Sequence, residues 1–263
     1  MSEIVNRLRH PKERLYSAMI LTAGIVLWTL FFFIIIASLF LKPFNAIIDI
    51  LEIIVIVLVV MAAGAWYRAR AFGNMIMLGT EQCPTLYNMV AEGARSLGLA
   101  QTPTTFLYNS HGLVNAMARR LFGRRYVFLT SALVEIETDE QVKFVIGHEL
   151  GHHAAGHLNP MQYILKLPGH FVPFLGPAYS RAREYTCDSI GAHLSQDFEA
   201  SRTALQMLGC GCKRLNNQMN CDAFIAQEAM VPSIFGFISE IFRSHPRLTR
   251  RVGAIRQGLE RQF

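Results

Sequence analysis

Two histidines and a glutamate stand in the order His148-Glu149-x-x-His152 near the middle of the chain. Side chains four residues apart project from the same face of an α-helix, so both imidazoles can reach one metal ion. This spacing is typical of the zincins, in which the two histidines bind Zn²⁺ and the glutamate serves as general base. The pattern therefore predicts a zinc site, provided that the segment is helical.

Sequence signals around the motif predict that helix. Thr138 and Gln141 have the spacing of a capping box, which places the helix start at about Asp139. Apolar residues then recur at helical spacing as the segment runs toward Gly156. The apolar face consists of Val142, Val145, Ile146 and Leu150.

Two further histidines in this stretch fit a ligand role less well. His153 lies about 100° around a helix from His152. His157 follows His148 by nine residues, which places it on the opposite side of a helix that continues that far. We therefore interpret His153 and His157 as polar-face or hydrogen-bonding residues.

A catalytic zinc site needs a third protein ligand and one open position. The best candidate is Glu184, in the segment Arg-Glu-Tyr-Thr-Cys-Asp, which would complete a set of two histidines and one glutamate. Asp188 follows four residues later and shares its helix face. Its carboxylate could accept the second ring N–H of a ligand histidine and so fix the tautomer of that ring.

Apolar residues make up 52% of the 263-residue chain and are concentrated in its first quarter. Ser17–Leu41 is 25 residues without a charge, about 37 Å of helix, which exceeds the ~30 Å hydrocarbon core of a bilayer. After a break at 42–45, Ile47–Tyr67 is a second candidate span of about 31 Å. We expect a transmembrane hairpin. The alternatives are a buried core helix for the first segment and a re-entrant or interfacial segment for the second.

Basic residues near the spans predict the orientation. Four precede the first span, one lies in the short loop and two follow the second span: Arg7, Arg9, Lys12, Arg14, Lys42, Arg68 and Arg70. Both termini should therefore face the cytoplasm, in a multi-pass protein of the inner (cytoplasmic) membrane. We expect a cytoplasmic segment at 1–16, transmembrane helices at 17–41 and 47–67, and a cytoplasmic metallopeptidase domain at 68–263. The net charge of +6 suits an anionic leaflet.

The remaining sequence predicts an α+β fold, mainly helical with a small β-sheet. Pro84–Leu97 has helical periodicity, whereas 102–110, 112–118 and the start of 126–134 resemble short strands, with a turn at 123–125. The five cysteines are an odd number in a cytoplasmic domain, which argues for free thiols. We expect no nucleic-acid partner, because the sequence shows neither a glycine-rich phosphate loop nor a regular basic and aromatic array.

Several motifs, in order along the chain, resemble the HtpX-like membrane metallopeptidases, relatives of the CAAX prenyl endopeptidase. The segment 111–118 is similar to the Asn-Ala-Phe-Ala segment of that family, with Met117 in place of phenylalanine. Leu-Thr-Ser-Ala-Leu-Val-Glu at 129–135 is similar to the step before the zinc helix. The histidine motif, the Glu184 segment and Ser-His-Pro-Arg-Leu-Thr-Arg-Arg-Val at 244–252 follow.

This resemblance implies a gluzincin-type fold in which the two motif histidines and Glu184 hold Zn²⁺. It also implies that His245 and Arg251 form a transition-state pocket, and that Asn115 and Ala116 lie on an edge strand that holds the substrate. The chain departs from the family between the motif helix and Glu184, where HtpX carries further spans and this chain has only broken apolar pieces. That difference predicts a reduced relative with two spans.

The leading functional hypothesis is a membrane-bound zinc endopeptidase that cleaves membrane or misfolded proteins near the cytoplasmic face. Its partners would be a protein or peptide substrate and the lipid bilayer. Two alternatives remain open: a processing peptidase with one dedicated substrate, and a non-catalytic membrane scaffold that keeps the peptidase fold. The sequence carries no signal for the oligomeric state.

Overall fold

The structure is a computed structural model that describes residues 2–260, with side chains described for residues 2–255. Within this range the chain is mainly helical with one four-stranded sheet, which confirms the predicted class. The helices are α1 (Glu3–Leu8), α2 (Pro11–Leu41), α3 (Pro43–Asn74), α4 (Pro84–Ser96), α5 (Ser131–Ile136), α6 (Asp139–Ala154), α7 (Pro160–Lys166), α8 (Leu175–Ser195), α9 (Phe198–Cys210), α10 (Lys213–Asn216), α11 (Cys221–Ala226), α12 (Ser233–Ile241) and α13 (Leu248–Glu260). The strands are β1 (Ile76–Met77), β2 (Thr104–Tyr108), β3 (Ala116–Leu121) and β4 (Arg124–Thr130), and two 3-10 helices span Pro168–Phe171 and Gln227–Met230.

The two predicted spans lie in α2 and α3, which have 31 and 32 residues and are long and apolar enough to cross a membrane. α2 begins at Pro11 rather than Ser17, and α3 begins at Pro43 rather than Ile47. Proline suits a first helical position because it has no N–H to leave unpaired and its φ is already helical. A third candidate arises in the described residues only if 221–230 and 233–241, bent by 104°, form one broken span.

The C-terminal end of α3, the second candidate membrane helix, packs against the sheet. α3 extends past Tyr67, where the second span was predicted to end, to Asn74. The Tyr67 ring lies 5.3 Å from the Phe128 ring, and the Phe72 ring lies 5.1 Å from the Phe106 ring. These aromatic contacts join α3 directly to one face of the sheet.

The sheet has the strand order β1-β2-β4-β3, with β2 and β4 parallel and both outer strands antiparallel to their neighbours. The strand predicted at 112–118 begins only at Ala116. The turn predicted at 123–125 consists of Phe122 and Gly123, so β4 already begins at Arg124. Among the described strands β3 pairs with β4 alone, which leaves its outer edge open.

The opposite face of the sheet carries the main apolar core. Val127 and Leu129 of β4 pack with Val90 of α4 and with Ile146 and Leu150 of α6, all of them buried. The predicted apolar face of the motif helix therefore points at the sheet. This packing fixes the rotation of α6 about its axis and turns its remaining faces toward α8.

α6 and α8 cross at very short distance. A Cβ on Gly147 of α6 would lie 2.8 Å from the Cα of Gly191 in α8, closer than side-chain carbons pack. Glycine at this position therefore permits the approach of the two backbones. Because the motif histidines lie on α6 and Glu184 lies on α8, the crossing brings their side chains together.

The residues before the first apolar run also pack into the folded domain. Val5 of α1 is fully buried in the same core as Leu97. In α2, Ile20 is fully buried and packs with Leu175 and Tyr179 of α8. Helix α1 and the N-terminal part of α2 thus pack against α8, the helix that carries Glu184.

Candidate metal centre

The predicted motif helix begins where its capping signals place it. The Thr138 hydroxyl accepts the Gln141 N–H at 3.4 Å, and the Gln141 side chain accepts the Thr138 N–H at 2.8 Å, so the capping box is present. The helix ends at Ala154, two residues before the predicted end at Gly156. His148 and His152 therefore lie one turn apart on a regular helix.

Both motif histidines face the carboxylate of Glu184. The Nε2 atom of His148 lies 3.6 Å from one oxygen of Glu184, and the Nε2 atom of His152 lies 3.7 Å from the other. All three side chains are at most 14% exposed. Burial lowers the pKa of His152 well below its ordinary value, which favours the neutral imidazole that binds metals.

The other ring nitrogen of His148 is held by a buried ion pair. Asp188, predicted to support a ligand histidine, lies 2.9 Å from His148 Nδ1. Arg251 donates to both oxygens of Asp188, at 2.8 and 2.7 Å. Burial alone would raise the pKa of Asp188, but Arg251 and His148 hold it at about 2. The carboxylate is therefore ionised and accepts the Nδ1–H of His148, which leaves His148 Nε2 available as a ligand.

His157 lies beside His152 because the helix ends before it. Gly156 has a φ of +77°. The N–H of Gly156 bonds to the His153 carbonyl at 3.3 Å, and the N–H of His157 bonds to the His152 carbonyl at 3.0 Å, the pattern of a Schellman motif. This turn places His157 Nδ1 3.1 Å from His152 Nδ1. The prediction that His157 lies on the far side of the helix is wrong, because it extended helical periodicity past Ala154.

Glu149 is buried between the motif histidines and the edge strand. The backbone N–H of Ala118 in β3 donates a hydrogen bond to its carboxylate. Burial raises the pKa of Glu149 to about 6, while the Ala118 hydrogen bond acts in the opposite direction. A carboxyl group with a pKa near neutrality can accept a proton and return it.

Cys187 offers an alternative donor. One ligand atom each from His148, His152 and Cys187 lies within 4.8 Å of the others. The polar contact of the Cys187 sulfur is with His157 Nδ1, at 3.6 Å. Burial raises the pKa of the Cys187 thiol well above its ordinary value, which disfavours the thiolate that a metal would bind. The geometry thus admits a third ligand from Glu184 or Cys187.

The two residues predicted to form a transition-state pocket differ in exposure. The His245 side chain is 65% exposed, and its Nε2 lies 3.8 Å from Glu184. Arg251 is buried and lies 3.5 Å from the same carboxylate, with its shorter contacts to Asp188. Both line a cleft of about 1060 Å³ beside the site. His245 thus lies at the mouth of the site, and Arg251 lies beneath it.

The residues predicted to bind substrate lie at the start of the edge strand. The Asn115 carbonyl accepts the Thr130 N–H at 3.1 Å, and the Asn115 N–H donates to the Thr130 hydroxyl at 3.1 Å. Ala116 is the first residue of β3. Two residues later, Ala118 contacts Glu149. The structure therefore places Ala116 at the first position of the strand that borders the site, and Asn115 directly before it.

Sequence reasoning missed a carboxylate at this site. Glu13, in the first turn of α2, is fully buried and lies 3.1 Å from His157 Nε2. It also accepts hydrogen bonds from Arg9 and Thr186. One signal was available: an acidic residue stands alone among basic ones directly before a long uncharged run. Nothing local, however, indicates its partner 144 residues away.

Known proteins resemble this chain in fold and in sequence. The crystal structure of Ste24p from S. mikatae has a TM-score of 0.53 at 16% identity, over 89% of this chain and 63% of that chain, which shows a shared fold. The plastoglobule-localized metallopeptidase 48, chloroplastic, of Arabidopsis thaliana is 26% identical over 169 residues. That alignment covers 59% of this chain and 48% of the relative, so the chain spans about half the length of this curated protein.

The model of peptidase family M48 matches residues 80–174 and 169–258. These stretches cover more than half of the chain and include the motif histidines, Glu149 and Glu184. They exclude all of α2 and α3, which precede the matched region. The chain therefore belongs to peptidase family M48, the family of membrane metallopeptidases that its motifs resemble.

Proposed function

We propose that this protein is a membrane-bound, zinc-dependent endopeptidase that hydrolyses peptide bonds in protein substrates. The observation that carries the proposal is the convergence of two imidazole Nε2 atoms on the Glu184 carboxylate, at 3.6 and 3.7 Å. Each imidazole has its Nδ1 atom engaged elsewhere, which leaves Nε2 as the metal-binding atom. Membership in a metallopeptidase family supports the assignment.

The donor set fits zinc. Two histidines and one glutamate are a known set for catalytic zinc, with a fourth position left open. We assign Glu184 rather than Cys187 as third ligand, because both Nε2 atoms face its carboxylate and the Cys187 thiol is held protonated by burial. His148, His152 and Glu184 would hold the ion, which would supply a water molecule with a pKa of about 7 and a Lewis acid for the substrate carbonyl.

Glu149 is the general base of this proposal. Its carboxylate is buried beside His148, and the N–H of Ala118 fixes its position. It would take the proton from the attacking water and pass it to the leaving amine. With a pKa of about 6, it is basic enough for the first transfer and acidic enough for the second.

The open edge of β3 would hold the substrate backbone. In an antiparallel pair, successive residues alternate between bonding to the neighbouring strand and pointing away from it. Asn115 bonds to Thr130, so the backbone groups of Ala116 and Ala118 point to the open edge, where the Ala118 N–H already donates to Glu149. An extended peptide could add there as a further strand. Because Ala118 contacts Glu149, a peptide on this edge passes the general base.

His245 would donate to the oxyanion that develops on the substrate carbonyl. Its exposed ring lies 3.8 Å from Glu184, at the mouth of the site. A donor that acts mainly in the transition state lowers kcat and kcat/KM together when it is removed, typically by about 10²–10³. Arg251 would act through Asp188, by keeping that carboxylate ionised against His148.

We infer that the site works close to the bilayer on membrane or misfolded proteins. Both membrane helices support this, since α3 packs on the sheet and α2 packs on α8. The orientation with both termini in the cytoplasm follows from the basic residues flanking the spans. An Asn45→Cys variant should react with an impermeant maleimide in intact cells. Labelling of residue 45 only after lysis would show that the loop between the spans faces the cytoplasm and that the topology is the opposite one.

The proposed function is tested with Glu149→Gln, purified as the full chain in detergent. We expect stoichiometric zinc and no casein cleavage, because Glu149 is a base and not a ligand. Glu199→Gln is the control, since Glu199 lies on α9 and is 65% exposed. Loss of zinc from a folded Glu149→Gln protein, or cleavage at the wild-type rate, would contradict the assignment.

The same variant distinguishes a peptidase with many substrates from a processing peptidase with one dedicated substrate. Substrates trapped by Glu149→Gln in membranes should be many for a quality-control enzyme and one for a dedicated processing peptidase. A wild-type protein that binds no zinc and cleaves no peptide would indicate a non-catalytic scaffold.

A further inference from the structure

A line of buried side chains joins the first membrane helix to the metal site. Glu13 of α2 lies 3.1 Å from His157 Nε2. The other nitrogen of this ring, Nδ1, lies 3.1 Å from His152 Nδ1. His152 Nε2 then faces Glu184 at 3.7 Å. Three hydrogen-bonding side chains thus lead from α2 to the atom assigned to the metal.

One arrangement of ring protons satisfies every contact in this line. If His157 donates from Nε2 to the Glu13 carboxylate, its Nδ1 carries a lone pair. His152 donates from Nδ1 to that lone pair, and its own Nε2 is then unprotonated, as a metal ligand requires. The reverse arrangement would turn the lone pair of His157 Nε2 toward a carboxylate oxygen.

The carboxylate of Glu13 is itself held in place by Arg9, which follows α1, and by Thr186 of α8. Arg9 donates to it, and the same guanidinium donates to the Ala155 carbonyl, at the end of α6, at 2.7 Å. The Thr186 hydroxyl of α8 also donates to Glu13, and it accepts the His10 N–H at 3.0 Å. These contacts fix the position of the carboxylate and place a cation beside it, which offsets part of the cost of burying its charge.

We propose that Glu13 is a positioning residue for the metal site. Acting through His157, it holds His152 in the tautomer that binds the metal, so that docking of the first membrane helix completes the site. The inference rests on the proposed function, because it takes His152 as a ligand. Partners behind a metal-binding histidine typically change metal affinity by about 10–100-fold when they are mutated.

The test compares two buried histidines that are close in sequence. His157→Leu removes the contact to His152. His153→Leu is the matched control, because His153 is also buried but bonds to the Tyr126 carbonyl at 3.0 Å, away from the metal. Glu13→Gln keeps the shape of Glu13 and removes its charge, and Glu13→Asp keeps the charge. Each full-length protein is stripped of metal in detergent and titrated with Zn²⁺ against a chromophoric chelator, and with Co²⁺ for its absorption spectrum.

We expect Glu13→Gln to weaken zinc binding about tenfold and His157→Leu to weaken it up to about 100-fold. Both should alter the Co²⁺ spectrum, whereas His153→Leu should leave affinity and spectrum unchanged even if it lowers thermal stability. Glu13→Asp should recover part of the affinity lost in Glu13→Gln.

Two failures are distinguishable. If Glu13→Gln and His157→Leu bind Zn²⁺ and Co²⁺ like the wild type, while Glu184→Ala does not bind, the positioning role is overturned and the proposed metal site stands. If wild type and Glu184→Ala bind equally, or neither binds, the proposed function fails and this inference fails with it.

Discussion

The two histidines of the motif lie one helical turn apart, yet they are supported in different ways. His148 contacts a carboxylate directly, since its Nδ1 lies 2.9 Å from Asp188. His152 contacts a second imidazole, His157, and the carboxylate behind it is Glu13. On one side a carboxylate therefore contacts the motif histidine directly, and on the other side an imidazole lies between the motif histidine and the carboxylate.

The difference also concerns where the partners lie in the chain. Asp188 and Arg251, which support His148, fall inside the family-matched region 80–258. Glu13 precedes that region and lies on a helix that is apolar enough to cross a membrane. The His148 side is thus complete within the peptidase domain, whereas the His152 side depends on the docking of α2.

The largest effect should come from the residue that both sides share. Glu184→Ala removes the carboxylate that faces both Nε2 atoms, so we expect loss of bound metal together with loss of hydrolysis. Metal content by atomic spectrometry and casein cleavage measure the two losses, with Glu199→Ala as an exposed control. Stoichiometric metal in Glu184→Ala would place the third ligand elsewhere, with Cys187 and Asp188 the next to test.

On the His148 side, Arg251→Leu should cost about 3–5 kcal/mol of unfolding free energy, because it leaves the Asp188 carboxylate buried without its cation. Denaturant unfolding in detergent measures this loss. Adding Asp188→Asn to Arg251→Leu should restore part of the stability, since no unpaired charge then remains. A loss of less than about 1 kcal/mol would mean that this pair behaves like an exposed one.

Asp188→Asn alone should weaken zinc binding by about 10–100-fold, because the amide still accepts from His148 but carries no charge. Competition with a chromophoric chelator measures the change. Since Asp188 contacts its ligand directly, its effect should exceed that of Glu13→Gln on the other side. The opposite order would show that the membrane-helix side dominates the site.

The smallest effect should come from Cys187→Ala. If Glu184 is the third ligand, this variant keeps stoichiometric metal and wild-type activity, and loses about 1 kcal/mol of stability from the buried sulfur. The metal content tests whether Cys187 is a ligand, and thermal unfolding measures the loss of stability. Loss of metal here, with metal retained in Glu184→Ala, would exchange the roles of the two residues.

Elements with a strong local signal were predicted well. The capping box of Thr138 and Gln141 and the apolar face of α6 are both found, because a helix is stabilised by contacts three and four residues apart. Errors occurred at boundaries. β3 begins at Ala116 rather than at residue 112, because its pairing with β4 starts there. α6 ends at Ala154 rather than at Gly156, because Gly156 adopts a left-handed conformation that closes the helix.

Family membership and the membrane helices were also within reach of the sequence. An ordered set of short motifs indicated the HtpX-like peptidases, and the match to peptidase family M48 confirms that prediction. Long apolar runs indicated α2 and α3, because hydropathy adds up along a helix without reference to the rest of the fold.

The environment of the site could not be predicted in the same way. Glu13 and His157 are 144 residues apart, and Asp188 and Arg251 are 63 apart. Spacing within a helix predicts which side chains share a face, but it contains no information on which other helix will cover that face. The packing of α2, α6, α8 and α13 decides those partners, because burial leaves each polar group only the neighbours that the fold provides.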